Sequence, residues 1–391
     1  MNRVLLKAAV LSISVLLLAA TAVSPAIANI SAAFKEVSTQ TIMLLVALPS
    51  MTMVLASLVF SKLSEFMGRR ALVHVAMLLF LVGGIPPYFM NDMTMILVMR
   101  AILGLSLGLI FPLSLVLISD FFEGGERATI MGLQSVCVNV GGILFSLLGG
   151  LLCVADWHNT FLAYAIGFLV LLFVYFYLPE PPKTQVTVSQ GEAATKTPLP
   201  GKVYFIESIV FLYNLLIFVF FTNVAIQVVG ENMGNAASAG FALTLFTGGG
   251  LVGGLLFGKA MQRLKNYTIA VGWLLTGAGM ALVSGTQDFN LLLTGCFIGG
   301  IGFSTTCPAF FVTLSVLSPP ARVAFSIALA SALSGIGQFV APFVLEAVAG
   351  QFGQGPGRFP LLVSAVSFVA VGLLLLLQNY LQTPRPVKLN S

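Results

Sequence analysis

The segment Ser61-Lys62-Leu63-Ser64-Glu65-Phe66-Met67-Gly68-Arg69-Arg70 is a short charged stretch between two long apolar runs. Only 8% of the 391 residues are charged, whereas 58% are hydrophobic. Such a composition is far more apolar than that of a soluble globular domain. A cluster of charges in so apolar a chain is expected where the chain leaves a membrane.

Apolar runs long enough to cross a bilayer recur along the whole sequence. A helix needs roughly 20 mostly apolar residues to span about 30 Å of hydrocarbon. Because backbone N–H and C=O groups must be paired inside lipid, the spans must be helices. The polar breaks predict an all-α membrane protein with about twelve spans, at residues 4–28, 40–60, 71–90, 94–118, 128–153, 160–178, 203–228, 240–260, 267–285, 289–314, 323–349 and 359–380.

The first of these spans has features of a secretory signal peptide. Arg3 and Lys7 precede an apolar run, and Ala26-Ile27-Ala28 is typical of a cleavage site. The apolar stretch is nevertheless long enough to cross the membrane fully. We therefore expect it to be retained as the first helix.

Lysine and arginine residues fall almost entirely on one set of the predicted loops. If the N-terminus lies inside, the opposite set carries only Lys35 and Arg358, and Arg100 lies within a span. The positive-inside rule then predicts a multi-pass protein of the cell (inner) membrane with both termini in the cytoplasm. This bias accounts for the net charge of +5, and no basic patch interleaved with aromatic residues favours a nucleic-acid partner.

The order of residues in the charged segment resembles the loop between helices 2 and 3 of the major facilitator superfamily. That pattern is Gly-x-Leu-x-Asp-x-x-Gly-Arg-Arg/Lys. Four positions match it: Leu63, Gly68, Arg69 and Arg70. Ser61 and Glu65 stand where the family has Gly and Asp. The resemblance implies a secondary transporter, not an enzyme, in which two pseudo-symmetric six-helix halves rock around a cavity at the midplane.

The chain divides near its middle. Six predicted spans lie on either side of residues 183–201, the longest polar segment, whose composition suits a flexible linker. We therefore predict an N-terminal half at 1–182, a cytoplasmic linker at 183–201 and a C-terminal half at 202–391.

The resemblance also implies a gate on the cytoplasmic side. In the family, the loop acid docks at the start of helix 11 and forms ion pairs that close this side. The corresponding candidates here are Glu65, Gly68, Arg69, Arg70, Asp120 and Arg127. The alternative is that these charges are solvated loop anchors, each pair contributing about 0–1 kcal/mol.

Three residues are candidates for proton coupling. Arg100 precedes Gly104 and Gly108 at four-residue spacing, which resembles the family's helix-4 motif. By that resemblance it takes part in coupling or binds an anionic group; alternatively, its long side chain reaches the headgroups. Glu207 and Glu346 are carboxyls near the ends of spans and either carry protons or lie at the interface.

The fifth span favours export. Exporters of the drug:proton antiporter type carry Gly-x8-Gly-x3-Gly-Pro-x2-Gly-Gly in helix 5. Gly132, Gly141, Gly149 and Gly150 stand at the matching intervals, but Phe145-Ser146 replaces the central Gly-Pro. Tight helix packing is the alternative explanation of these glycines.

Several other chemistries find no support in the sequence. It contains no Gly-x4-Gly-Lys-Ser/Thr segment for ATP, so we expect the energy to come from a gradient or from the substrate itself. The four Cys and two His have no metal-ligand spacing, so we expect neither a metal nor a cofactor. A small-molecule substrate, the proton and the lipid bilayer are the expected partners of what we expect to be a monomer.

Family analogy places the substrate cavity among helices 1, 4, 7 and 10, with helices 5 and 11 beside them. Its polar candidates are Asn29, Ser106, Gln134, Asn139, Tyr213, Asn214, Asn223, Thr305 and Gln338. The remaining lining would be Phe, Leu and Met, which suits lipophilic or amphipathic molecules. The sequence thus predicts a proton-coupled exporter of such molecules. The alternatives are an importer or symporter of a small anionic metabolite held by Arg100, and a non-transporting membrane sensor.

Overall fold

The computed structural model of the protein describes residues 3–180, 198–319 and 322–382. Within these residues, 11 helical stretches are long and apolar enough to cross a membrane. The stretch Ala236–Gly285 contains two helices joined by a single tight turn at Lys265–Tyr267. The described chain therefore contains twelve spanning helices, as the hydrophobic pattern predicts, and the prediction of an all-α membrane protein is confirmed.

The helices are labelled α1 to α12 in chain order. The first half contains α1 Arg3–Ala33, α2 Thr39–Phe66, α3 Arg69–Gly84, α4 Met93–Phe121, α5 Gly124–Cys153 and α6 Trp157–Tyr177. The second half contains α7 Gly201–Gly230, α8 Ala236–Leu264, α9 Thr268–Gly285, α10 Phe289–Leu317, α11 Val323–Gln351 and α12 Arg358–Gln382.

Consecutive helices run in opposite directions and end at one of two faces. We call the face at which α1 begins the basic face, because most loop Lys and Arg residues of the described chain lie there. These are Arg3, Lys7, Lys62, Arg69, Arg70, Arg127, Lys202, Lys259, Arg263, Lys265 and Arg322. The other face, called the opposite face, carries Lys35 and Arg358.

Polar caps begin five of the six helices that start at the opposite face. Ser38, Asp92, Asp156, Asn235 and Asp288 each precede such a helix, and each side chain accepts a hydrogen bond from a backbone N–H of the first turn. These oxygens satisfy N–H groups that have no partner within the helix. The three carboxylates also complement the positive end of the helix dipole. The caps thus define where the chain re-enters the membrane.

The two halves meet along α5 and α8. A Cβ added to Gly150 would lie 2.6 Å from Ala236 O, and one added to Gly240 would lie 2.6 Å from Ser146 O. Such close approach of two backbones requires residues without side chains. We call this contact, which covers residues 139–150 of α5 and 236–250 of α8, the α5–α8 seam.

The seam runs from the middle of the helices to the opposite face and does not continue to the basic face. In the same antiparallel register, Gly132 of α5 would next face the region of Gly254 and Gly258 on α8. A Cβ added at any of these three glycines would meet nothing within 4 Å. α5 and α8 therefore touch from their middle to the opposite face and are separated at these three glycines near the basic face.

A second pair, α2 and α11, also joins the halves. A Cβ added to Gly335 would lie 3.1 Å from Ser50 O. Nearer the opposite face, the carboxyl of Glu346 on α11 lies close to the side chain of Gln40 on α2. The first contact lies in the middle of the helices, and the second lies near the opposite face, as the α5–α8 seam does.

The four glycines of the helix-5 pattern have different environments. A Cβ on Gly141 would overlap Val15 O, and a Cβ on Gly149 would overlap Ala22 O, both on α1. Gly150 lies in the α5–α8 seam, whereas Gly132 has open space beside it. Two glycines thus permit a close crossing inside the first half, one permits contact between halves, and one is unconstrained in this conformation.

We predict that Gly149→Ala destabilises the protein and that Gly132→Ala does not. The added methyl at residue 149 must displace the backbone of α1, and overpacking of this kind costs about 1–3 kcal/mol. Thermal unfolding of the purified protein should show a melting temperature lower by several degrees for Gly149→Ala only. Equal melting temperatures for the two variants would contradict the described crossing of α1 and α5.

Candidate functional site

A cavity of about 260 Å³ lies between the two halves at the level of the helix midpoints. The α5–α8 seam and the contact of Gln40 with Glu346 close it on the opposite face. Residues from eight helices line it: Leu17, Leu18, Ala20, Thr21, Val46, Pro49, Ser50, Met53, Leu107, Asn139, Ile217, Phe218, Phe221, Phe246, Thr247, Gly250, Phe303, Ser304 and Gln338.

The two halves contribute different chemistry to the walls. The second half presents four phenylalanines, which we call the aromatic wall: Phe218, Phe221, Phe246 and Phe303. Their ring centroids form a continuous series, with Phe221 and Phe246 5.4 Å apart and Phe246 and Phe303 5.7 Å apart. The first half faces them mainly with aliphatic side chains and Met53. Of the predicted Phe, Leu and Met lining, the cavity has four Phe and three Leu but only one Met.

The polar groups of the cavity are neutral. Asn139 Nδ2 donates to Ser135 O at 2.9 Å, and Gln338 Nε2 donates to Asn214 Oδ1 at 3.1 Å. Ser304 lies beside Gly250, with its Oγ 2.8 Å from a Cβ that would be added there. Among the described residues that line the cavity, none carries a charge.

Two of the nine residues predicted to line the cavity do so, namely Asn139 and Gln338. In the first half, Ser106 donates to Ala76 O at 2.7 Å, and Gln134 donates to Ser114 Oγ at 3.3 Å. Asn29 is half-buried on α1, outside the cavity lining. Ser106 and Gln134 thus face neighbouring helices of their own half, where a buried polar group finds its partner.

The four remaining predicted residues, all in the second half, also lie outside the cavity lining. Tyr213 is fully buried and its hydroxyl bonds Thr276 Oγ1 at 2.9 Å. Asn223 accepts from Gly357 N at 2.8 Å, and Thr305 donates to Ile301 O at 2.7 Å within its own helix. Asn214 does not line the cavity but holds Gln338, which does.

Arg100 lies behind the cavity wall. Its side chain is fully buried, with Nε 2.7 Å from Leu45 O, Nη1 2.5 Å from the Tyr164 hydroxyl and Nη2 3.1 Å from Ala20 O. The alternative that it reaches the headgroups is wrong, because these acceptors hold it inside the first half. Ala20 itself lines the cavity, so the backbone of α1 separates the guanidinium from the cavity. The five-donor fork of Arg suits this binding of α1, α2 and α6 at once.

We predict that Arg100→Lys lowers stability even though the charge is kept. An ammonium cannot reach acceptors on three helices with fixed planar geometry, and each buried group left unpaired costs roughly 1–3 kcal/mol. Tyr164→Phe removes one of the three acceptors and should have a smaller effect. Thermal unfolding in detergent checks the order. A Lys variant as stable as the parent would show that the guanidinium is not a structural tie.

Of the two candidate acids, Glu207 lies near the basic face and Glu346 lies near the opposite face. Glu207 of α7 is 2% exposed, and its Oε1 accepts from Ser326 of α11 at 3.0 Å inside the second half. Glu346 is half-buried, and its partner Gln40 belongs to the other half. Oε2 of Glu207 and Oε1 of Glu346 are buried without a hydrogen-bond partner in the described part of the chain. Of these two acids, Glu346 is the one whose polar neighbour belongs to the other half.

The charged segment ties the loop between α2 and α3 to neighbouring helices of the first half. Arg69 Nε lies 3.6 Å from Asp120 Oδ2 at the end of α4. Arg70 Nη2 donates to Tyr175 O at 2.7 Å, and its backbone N donates to Glu180 Oε2 at 3.2 Å. The carboxylate of Glu180 lies so close to Gly68 that a Cβ there would be 2.5 Å from its Oε1.

Glu180 is a site residue that the sequence reasoning missed. It lies three residues beyond the end of α6, and its carboxylate lies at the N-terminus of α3, where negative charge is stabilised. The available signal was an acid immediately after the sixth span. The side chain of the predicted gate residue Glu65 lies outside the described residues.

The start of α5 is tied to its surroundings as well. Arg127 Nη2 donates to Ser119 Oγ. Glu126 accepts from Arg3 at 2.7 Å and pairs with Lys7 at 2.8 Å. The hydrogen bond from Lys7, with Arg3 close by, holds the pKa of the half-buried Glu126 carboxyl below its usual range. This tie is present at neutral pH and weakens as the pH falls through that pKa.

Comparison with known proteins places the chain in a family. The sequence profile described as Major Facilitator Superfamily matches residues 9–231 and again residues 209–391. The chain belongs to the major facilitator superfamily. The two matches overlap at residues 209–231 and together span residues 9–391.

Relatives within the superfamily differ in their named substrates. Quinolone resistance protein NorA of Staphylococcus aureus (strain COL) is 24% identical over 340 residues, which cover 84% of each chain. The 4-hydroxybenzoate transporter PcaK of Acinetobacter baylyi is 25% identical over 334 residues, which cover 74% of this chain and 72% of PcaK.

Solved structures share the fold. A bacterial homologue of the human lysosomal transporter Spinster, in an inward-facing and occupied conformation, superposes with a TM-score of 0.77 at 16% identity and 96% coverage of both chains. A D-xylose–proton symporter superposes with a TM-score of 0.71 at 18% identity, covering 95% of this chain and 96% of that chain. The protein is therefore a superfamily transporter by family and by fold.

Proposed function

We propose that the protein is a proton-coupled exporter of small lipophilic or amphipathic organic molecules. The observation that carries this proposal is the cavity, which is lined by apolar and neutral side chains and closed on the opposite face. Such a site binds apolar molecules by removing their surface from water and uses a few polar groups for orientation. The overall similarity to NorA supports export.

The proposal places the basic face in the cytoplasm of a cell (inner) membrane protein, since positively charged loops remain on that side. Residues 1–182 and 202–391 then act as the two halves, and 183–201 as their cytoplasmic linker. With this orientation, the separation of α5 and α8 near the basic face faces the cytoplasm, and substrate would enter from the cytoplasm or its membrane leaflet. Rocking of the halves would close the basic face and open the other.

Import of a small anionic metabolite is the second candidate, favoured by the similarity to PcaK. An anion in the cavity would need a positive partner within contact distance. Arg100 is not available for that role, because Leu45 O, Tyr164 and Ala20 O hold its side chain behind the wall. The cavity therefore favours the exporter over the anion importer.

The coupling role that we propose centres on Glu346, with Arg100 and Glu207 as supporting candidates. A carboxylate only accepts hydrogen bonds, whereas a carboxylic acid also donates one. Protonation of Glu346 thus changes its interaction with the nearby Gln40 of the other half, at the opposite face. Protons arriving from that side would in this way bias the position of the two halves. The contacts of Arg69, Arg70 and Asp120 would support the gate on the cytoplasmic side.

We predict that the full chain in proteoliposomes moves substrate in exchange for protons that flow down their own gradient. With an acidic lumen, lipophilic dyes or drugs should accumulate above the level of protein-free liposomes and stop accumulating when an ionophore collapses the gradient. Organic acids should not. Gradient-driven uptake of organic acids but not of lipophilic compounds would replace the exporter by the importer.

The Glu346→Gln variant tests coupling in the same assay. The amide keeps the shape of the side chain but cannot gain or lose the proton, so accumulation should lose most of its pH dependence while the protein still folds. Glu231→Gln is a matched control, because Glu231 pairs with Arg358 within the second half. Unchanged pH dependence of the Glu346→Gln variant would remove Glu346 from the coupling scheme.

A further inference from the structure

The aromatic wall is held rigidly from behind. The ring of Phe303 stacks at 6.3 Å and an interplanar angle of 19° on Tyr213, which is fully buried and bonded to Thr276. Phe246 packs at 4.7 Å against the fully buried Phe220. Rings fixed in this way form a contact surface that loses little conformational freedom on binding.

The rings of this wall that face the cavity favour flat aromatic ligands. Phe221 and Phe303 are half-buried and line the cavity on either side of Phe246. Phe221 meets Phe246 edge to face, at 82°, and Phe246 lies at 44° to Phe303. A planar ring in the cavity can therefore make both stacked and edge contacts, which add to the gain from burial.

Two polar side chains that line the cavity, Asn139 and Gln338, are oriented by hydrogen bonds to other protein groups. Because the amide nitrogens of Asn139 and Gln338 donate to Ser135 O and Asn214 Oδ1, their carbonyl oxygens remain as acceptors. The hydroxyl of Ser304 and the carbonyl oxygen of Asn139 both lie near Gly250. These groups can bind a neutral N–H or O–H at the edge of a ring but cannot neutralise a full positive charge.

The charges around the cavity disfavour cations in particular. None of the described lining residues is acidic, so a bound cation would lose water without gaining a counter-ion. Arg100, one backbone away at Ala20, adds repulsion. Its donors are engaged with protein acceptors, so it does not offer a contact to an anion either.

We infer that the cavity selects uncharged planar aromatic molecules and rejects their permanently cationic counterparts. This inference names the substrate class of the cavity and rests on the proposed transport function. It differs from a general preference for lipophilic compounds, because delocalised aromatic cations are also lipophilic.

Acridine and its charged analogues test this selectivity. The full chain in lipid nanodiscs is titrated with acridine, N-methylacridinium or acridine-9-carboxylate at mildly alkaline pH, where acridine is uncharged, and ligand fluorescence reports binding. Acridine should bind at least about tenfold more tightly than either ion, a difference of about 1.4 kcal/mol. Equal or tighter binding of N-methylacridinium, tighter binding of the carboxylate, or no binding of acridine would overturn the inference.

Variants locate the binding site. Phe303→Leu should weaken acridine binding several-fold, and Phe221→Leu provides a second variant if the first does not fold. Phe241→Leu is the control, since Phe241 is 43% exposed and does not line the cavity. Gln338→Glu should raise the affinity for N-methylacridinium at least several-fold, because it supplies the missing counter-ion. Unchanged acridine binding in both the Phe303→Leu and Phe221→Leu variants would place the ligand elsewhere and overturn the inference.

Flux measurements separate the two proposals. If acridine binds with the expected preference but a pH gradient does not move it beyond the protein-free control, the transport function fails and the selectivity stands. If the gradient moves acridine and N-methylacridinium equally well, the transport function stands and the selectivity fails.

Discussion

A polar group inside the hydrocarbon finds no water, so its hydrogen-bond partners must come from the protein. In this transporter most of those partners lie within the same half. Ser106 bonds α3, Tyr213 bonds α9, and Arg100 holds α1, α2 and α6 together. The side chains that sequence reasoning assigned to substrate are therefore largely used in building the two halves.

Because most of these buried polar side chains are bonded within their own half, few of them line the cavity. It receives the aromatic wall of the second half and the aliphatic side chains of the first, with a few neutral polar groups such as Asn139 and Gln338. A site of this composition recognises ligands by shape and by apolar contact rather than by charge. The buried cation of Arg100 influences the cavity only from behind α1.

Small residues allow α5 to serve two purposes. Gly141 and Gly149 bring it against α1 within the first half, whereas Gly150 brings it against α8 of the second half. The first contact makes the half one unit, and the second joins the two units on one side of the cavity only. A change of conformation then requires the α5–α8 seam to shift, not the halves to unfold.

The sequence predicted the parts of the structure that depend on composition and periodicity. It predicted twelve helices, because spans are long and separated by polar breaks, although α8 and α9 are joined by a turn of only three residues, Lys265–Tyr267. It could not identify most cavity residues, since the neighbour of each helix face depends on tertiary packing. The same limit hid Glu180, whose carboxylate reaches α3 across the fold.

We expect the halves to move about the α5–α8 seam so that one face closes as the other opens. Spin-label distances in nanodiscs test it directly, with one pair at Gly132 and Gly258 near the basic face and another at Val154 and Asn235 near the opposite face. As pH or acridine concentration changes, the first distance should shorten in the same population in which the second lengthens. Distances that rise and fall together, or that stay constant while transport proceeds, would contradict the account.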